Sequence, residues 1–427
     1  MRQLKNIKKG IWIYFIILII EGGLRRWILP SLANPILVIR DILGIYLLIV
    51  AYGTDYFPKN RLVTIFFSIG LISVFTALFF GHGNLFVALF GARILLVQVP
   101  LLFLIGRVFT PEDVIAMGRV ILWISIPMAI LITVQFYSPQ SAWVNKGVGD
   151  NLEGAGFSGA NGYFRPPGTF SFITGTVSFF SLVGCYVMYF WLQPKFISKS
   201  LLIASSFALL ISIPTSISRS LFFQFIITLI FFIWAKSNKP GFLKNISQIF
   251  FGFALITILF LNFKGLEDQI NAFSTRFTTA NEGEGGLKGV FIDRFLGGLV
   301  GSFSSLDDKY VVFGQGIGLG TNVGSQLMSG KLTFLIAEGE WGRIIGESGM
   351  VLGFLIVFLR IYMSFNIILK SYNRLKYGDA LSWMLMSFGF FLLLQGQWSQ
   401  SSNLGFYVLI GGLILASLKK EKKEFFI

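Results

Sequence analysis

Apolar residues in this chain come in long unbroken runs, not at the periods of two or three to four that mark the faces of a soluble core. The runs fall at 10–24, 36–52, 62–80, 84–106 and 114–137, then at 169–192, 200–217, 220–235 and 246–263, and finally at 344–368, 381–396 and 403–418. The polar interruptions are short except at 138–168 and 264–343. A helix needs about 20 apolar residues to cross ~30 Å of hydrocarbon, and most of the runs approach that length. The pattern predicts an all-α, polytopic integral membrane protein with about twelve transmembrane helices. It divides the chain into a membrane domain over 1–263, one large extracytoplasmic loop over 264–343, and a second membrane segment over 344–427 that ends in a basic tail.

Composition strengthens that class. Charged residues make up 13% of the chain and aromatic residues 16%, with a mean hydropathy of +0.74. Soluble domains carry about 25% charged residues. The single cysteine, Cys185, excludes a disulfide, and the lone His82 excludes a multi-histidine metal centre. No Gly-Lys-Ser/Thr phosphate loop is present, so neither nucleotide, metal nor other cofactor is expected. The basic start (Arg2, Lys5, Lys8, Lys9) leads into an apolar run, as in a signal peptide. That run gives way to Glu21-Gly22-Gly23-Leu24-Arg25-Arg26, which offers no small-x-small cleavage site, so it reads as a retained first span.

Charge orients the spans. With the N-terminus in the cytoplasm and the runs alternating, the inner face receives the basic stretches at the N-terminus, 53–61, 107–119, 193–199, 236–245, 360–380 and the tail. The whole formal charge of +15 then falls on that face, while acids and bases balance on the other. Both termini are therefore expected inside, and the basic balance is a topology signal instead of a sign of nucleic-acid binding. The inner bases are mostly lysine and the outer ones mostly arginine, whose planar fork grips phosphate or carboxylate in two places. Arg40, Arg93, Arg165, Arg219 and Arg343 lie inside spans or at their outer ends, where a charge normally marks a functional site. The alternative is intramembrane pairing, for example of Arg40 with Asp41 or Glu21.

Several local patterns carry candidate chemistry. Glu340, Arg343 and Glu347 stand at i, i+3 and i+7 in Glu338-Gly339-Glu340-Trp341-Gly342-Arg343, continuing to Gly349, and share one helical face. Such a stripe offers a carboxylate base, a cation for an anionic group and a second acid to orient the cation, or else a salt-bridge cluster that starts a span. Pro166-Pro167-Gly168 forms a rigid turn behind Arg165, and Ser216-Ile217-Ser218 forms one ahead of Arg219. The run Gly314 to Thr321 resembles a phosphate loop but reads better as a flexible or close-packed turn. The stretch from Gly286 to Phe303 reads as an amphipathic helix on the outer leaflet. Arg25, Arg26, Trp27 and His82, at outer interfaces, are candidates for lipid or glycan contact.

The turn Arg165-x-x-Gly168-Thr169-Phe170, the Ser218-Arg219 turn and the late loop closing into Glu338 to Gly349 together resemble the O-antigen polymerase and ligase superfamily, bacterial membrane glycosyltransferases acting on lipid-linked sugars. The resemblance implies residence in the cytoplasmic (inner) membrane and a donor glycan on polyprenyl pyrophosphate. It implies that Arg165 and Arg219 hold the pyrophosphate, joined by Arg343 or Arg93. It places the catalytic base at the start of the span after the large loop, on Glu338 or Glu340, with Glu347 beside them. The ligase branch carries a histidine nine residues before the glutamate of its Glu-x-Gly step. Glu338 stands there in this chain, which favours a polymerase-like member. The expected partners are the lipid-linked oligosaccharide, membrane lipid, a flippase and a chain-length regulator, with no nucleic acid. The competing expectations are a ligase, a transporter or flippase for an anionic glycan or lipid, and a membrane scaffold.

Overall fold

A computed structural model of the chain describes residues 2–151, 154–237, 264–283, 311–330, 335–337 and 339–419. The expected span at 246–263, the amphipathic stretch at 286–303, Glu338 and most of the basic tail lie outside the described residues. The fold is all-α, with one two-stranded hairpin among the described residues. Every predicted apolar run within the described residues coincides with helix.

The first half comprises α1 (Arg2–Gly23), α2 (Ala33–Leu37), α3 (Ile39–Tyr52), α4 (Arg61–Phe79), α5 (Leu85–Arg93), α6 (Val99–Val108) and α7 (Pro111–Tyr137). The hairpin of β1 (Phe157–Ala160) and β2 (Tyr163–Arg165) comes next, then α8 (Ile173–Leu192), α9 (Lys199–Thr215) and α10 (Arg219–Ser237). Within the expected outer loop lie α11 (Glu267–Gly283) and α12 (Asn322–Ser329). The chain then passes through α13 (Glu340–Lys376), α14 (Leu381–Gln395) and α15 (Ser401–Ser417). Among the described residues, seven helices are long and apolar enough to cross a membrane, while α9, α14 and α15 are apolar but shorter.

Local chemistry sets the helix starts. The Asn60 side chain accepts from the Leu62 N–H at 2.9 Å, and Asn84 caps α5 in the same way. Thr110 and Asp113 form a capping box ahead of α7, with Pro111 in the first turn, where its missing N–H costs nothing. Apolar character then sorts the helices by depth. α15 is buried from Leu404 to Ile414 and packs chiefly on α6 and α14, as expected of a helix that is hydrophobic all round. α3 and α4 instead expose Ile42, Tyr46, Ile49, Phe67, Leu71 and Phe75, an outer surface suited to lipid. Cys185 is fully buried in α8, with its sulfur 3.3 Å from the Ser387 hydroxyl of α14.

Candidate functional site

The acidic stripe sits on a helix that reverses. Gly349 has φ 74° and ψ 178°, a conformation open essentially to glycine alone. Had α13 run straight, Glu340 and Arg360 would stand ~30 Å apart along its axis. Instead Arg360 Nη1 donates to Glu340 Oε1 at 3.1 Å, and a Cβ on Gly353 would come within 2.7 Å of the Ile345 Cα. A short arm, Glu340 to Ser348, therefore doubles back along the main helix. This corrects two expectations. The run 344–368 is not one uninterrupted span, and Arg360, expected on the cytoplasmic face, is fully buried beside Glu340.

The i, i+3, i+7 spacing then does what it predicts. Arg343 donates to Glu340 through Nε at 3.0 Å and Nη2 at 2.8 Å, and to Glu347 through Nη1 at 2.5 Å. Arg360 also donates to the carbonyls of Leu393 (3.0 Å) and Gly396 (2.9 Å), and its guanidinium lies 4.0 Å from the Trp398 ring centroid. Two arginines and two glutamates sum to zero charge. Buried charges persist when each is paired and hydrogen-bonded, as these are.

The glycine-rich run braces this arm. Where the helix breaks, the carbonyls of Gly346 and Glu347 lose their helical partners, and the N–H groups of Gln315 (2.8 Å) and Gly316 (2.9 Å) take over. The Gly320 N–H donates to Glu347 Oε1 at 2.8 Å. Glycine is needed here for closeness, because a Cβ on Gly91 would collide with the Gly318 backbone. The run is thus a close-packed turn. A crevice remains between Ile94 and Leu95 on one side, Arg343, Glu347 and Ser348 on another, and Ile317 and Trp398. It has room for about one water-sized group.

A second buried network joins α1, α3 and α5. Arg40 Nε donates to Glu21 at 2.5 Å and Arg40 Nη2 to the Ser401 carbonyl at 2.8 Å. Asp41 accepts from Arg93 Nη1 at 3.0 Å and from Gln98 Nε2 at 2.5 Å, and the Tyr14 hydroxyl donates to Gln98 at 2.9 Å. Arg25 approaches Glu21 at 3.8 Å. The pairing alternative weighed for Arg40 is therefore realised, with Glu21 as the partner.

The remaining candidates separate. Arg26 is fully buried and donates only to backbone carbonyls: Lys146 (2.6 Å), Val144 (2.9 Å), Gly168 (2.9 Å) and Phe170 (3.2 Å). It clamps both ends of the 138–168 segment to α1. Trp27 lies beneath the Arg26 guanidinium and stacks on Trp143, their centroids 5.4 Å apart. His82 Nδ1 accepts from the Asn84 N–H at 3.0 Å, and its Nε2 lies 3.2 Å from the Ile317 carbonyl, tying the α4–α5 turn to the glycine-rich run. Arg165 donates to the Ser158 carbonyl at 3.0 Å across the hairpin and covers the Phe157 ring. Arg219 opens α10, and a Cβ on Gly159 in β1 would meet the Ile217 side chain at 2.7 Å, so the two turns carrying Arg165 and Arg219 are neighbours. Arg343 and Arg93 are engaged in the buried networks instead. Sequence reasoning missed Arg360, Gln98 and Trp398 as members of these networks. The signal for Arg360 was a charge falling within an apolar run.

Among the described residues no group of three or more His, Cys, Asp or Glu is placed to hold a metal ion. No family model, curated protein or solved structure matches this chain.

Proposed function

We propose that the protein is a membrane glycosyltransferase that polymerises a polyprenyl-pyrophosphate-linked glycan at the outer face of a bacterial cytoplasmic membrane, in the synthesis of O-antigen, capsule or exopolysaccharide. The observation that carries this reading is the neutral Glu340–Arg343–Glu347–Arg360 network, whose Arg343 and Glu347 line a small crevice. A carboxylate can accept a proton there while an arginine beside it answers developing negative charge. On this reading the mechanism is inverting and metal-independent. Arg165 and Arg219, on neighbouring turns, receive the donor pyrophosphate. The full reading has about twelve spans with both termini inside, and it engages a flippase and a chain-length regulator as partners.

One observation favours a second reading, a transporter or flippase for an anionic lipid-linked glycan. Helix α13 is broken at Gly349, and the Leu24–Ile28 and Ile94–Gln98 turns are π-helical, the kind of discontinuity found at transport sites. Reconstitution separates the two. Protein in liposomes is given a polyprenyl-pyrophosphate-linked oligosaccharide without nucleotide or metal. A ladder of longer glycans, lost in Arg219→Ala, is the expected result. A single transfer onto a different lipid makes it a ligase, and movement of the intact donor between leaflets without transfer makes it a transporter.

A further inference from the structure

The geometry points to Glu347 and Trp398 as the subsite that receives the acceptor hydroxyl, with Glu347 taking its proton; this rests on the transfer reading. The two described glutamates of the network are not equivalent. Glu340 is spanned by two cations, Arg343 and Arg360, and stands outside the crevice lining. Glu347 lines the crevice and meets one cation, Arg343, plus one neutral donor, the Gly320 N–H. Of the two, only Glu347 is therefore placed to meet a group that enters the crevice.

Trp398 supplies the second observation. It lines the same crevice and is 2% exposed, with one face on Arg360 and its ring edge-on to Tyr407. Its indole N–H has no acceptor among the described residues, and neither has the Tyr407 hydroxyl a partner. Buried donors are nearly always paired in native proteins, so an orphan calls for a partner that arrives from outside. The indole N–H can only donate, and an oxygen is what it can bind. A hydroxyl oxygen also has the size the crevice admits, about that of one water. Ile94, Leu95, Ile344 and Ile356 give the crevice apolar walls.

The step balances within the network. The acceptor O–H passes its proton to the Glu347 carboxylate as its oxygen bonds to the anomeric carbon of the donor. The bond from that carbon to the pyrophosphate oxygen breaks, and its electron pair leaves with the lipid pyrophosphate. Protonated Glu347 leaves the formerly neutral network with one net positive charge as the leaving group becomes more negative. Glu340 and Arg360 are positioning residues, because they act by holding Arg343.

The test uses the full-length protein in liposomes, a polyprenyl-pyrophosphate-linked oligosaccharide as donor and the free oligosaccharide of the same repeat as acceptor. Trp398→Phe keeps a ring against Arg360 and removes a donor that has no protein partner. It should leave thermal stability unchanged or raised, while increasing the acceptor KM about fivefold to tenfold. Glu347→Gln should lower kcat at least about a hundredfold with donor binding retained. Glu340→Gln should lower stability and keep the pH dependence of kcat seen in the unaltered protein. Transfer that survives Glu347→Gln within a few-fold, or an acceptor KM unmoved in Trp398→Phe, overturns the subsite and leaves the transfer reading standing. Absence of any transfer by the unaltered protein overturns both.

Discussion

Arg26 and Arg343 are both buried, yet their surroundings differ in kind. Arg26 meets backbone carbonyls alone, whereas Arg343 lies between two carboxylates. Carbonyls cannot titrate, so the Arg26 site has one charge state and one geometry. Carboxylates can exchange a proton with a bound group, so the Arg343 site is chemically competent where the Arg26 site is not. The first arrangement suits a clamp and the second suits chemistry. The burial of an arginine in a membrane protein therefore does not by itself distinguish architecture from function; the identity of its acceptors does.

The comparison can be broken from either side. Arg26→Ala leaves four carbonyls and the ends of the 138–168 segment unheld, and hydrogen bonds to a charged donor are the costly ones to lose. A loss on the order of 5 kcal/mol is expected, visible as poor accumulation and early proteolysis within 138–168, and Arg26→Lys should recover only part because it lacks the fork. Arg343→Met leaves Glu347 buried without a cation and should cost about 3 to 4 kcal/mol by thermal unfolding. The neutral double variant, Arg343→Met with Glu347→Gln, keeps the Glu340–Arg360 pair and should return to within about 1 kcal/mol of the starting stability while staying inactive. A double variant as unstable as the single would show that the network is a clamp like Arg26.

Gly349→Ala tests the arm that carries the carboxylates. A Cβ there collides with the Val312 carbonyl oxygen and the backbone resists the required φ, so about 2 to 3 kcal/mol should be lost. Transfer should fall with it, because Glu340 and Arg360 meet only through the reversal. The smallest expected effect is at the opposite end of the molecule. Lys419 donates to the carbonyls of Arg107 and Phe109, and burial, with Lys8 nearby, pushes its pKa down to about 8. The folded state thus binds fewer protons than the unfolded one between pH 8 and the ordinary lysine value of 10.5, so its contribution to stability rises with pH across that window. Comparing thermal midpoints of the unaltered protein and Lys419→Met across the window should show a small slope lost in the variant.

Much of this was legible in the sequence, for a physical reason. Crossing hydrocarbon demands continuous apolar runs, so the long apolar helices coincide with the runs read from the chain. The Glu340–Arg343–Glu347 stripe was legible too, because helical spacing alone brings those side chains together. What escaped depended on distant parts of the chain. The reversal at Gly349 interrupts a run whose apolar pattern continues straight through it, and Arg360 was consequently read as a surface charge when it is buried beside Glu340. The carbonyls that Arg26 holds lie 118 to 144 residues away, and backbone acceptors leave no mark in a sequence.

The burial of Cys185 has one more consequence. It is the only cysteine in the chain, and it is packed inside α8 against Ser387. A thiol reagent added in water has nothing to label in the native protein. Any cysteine placed in a loop would report alone on which side of the membrane it stands, with no prior engineering of the chain. The orientation of every described loop can be read in that way from the natural background.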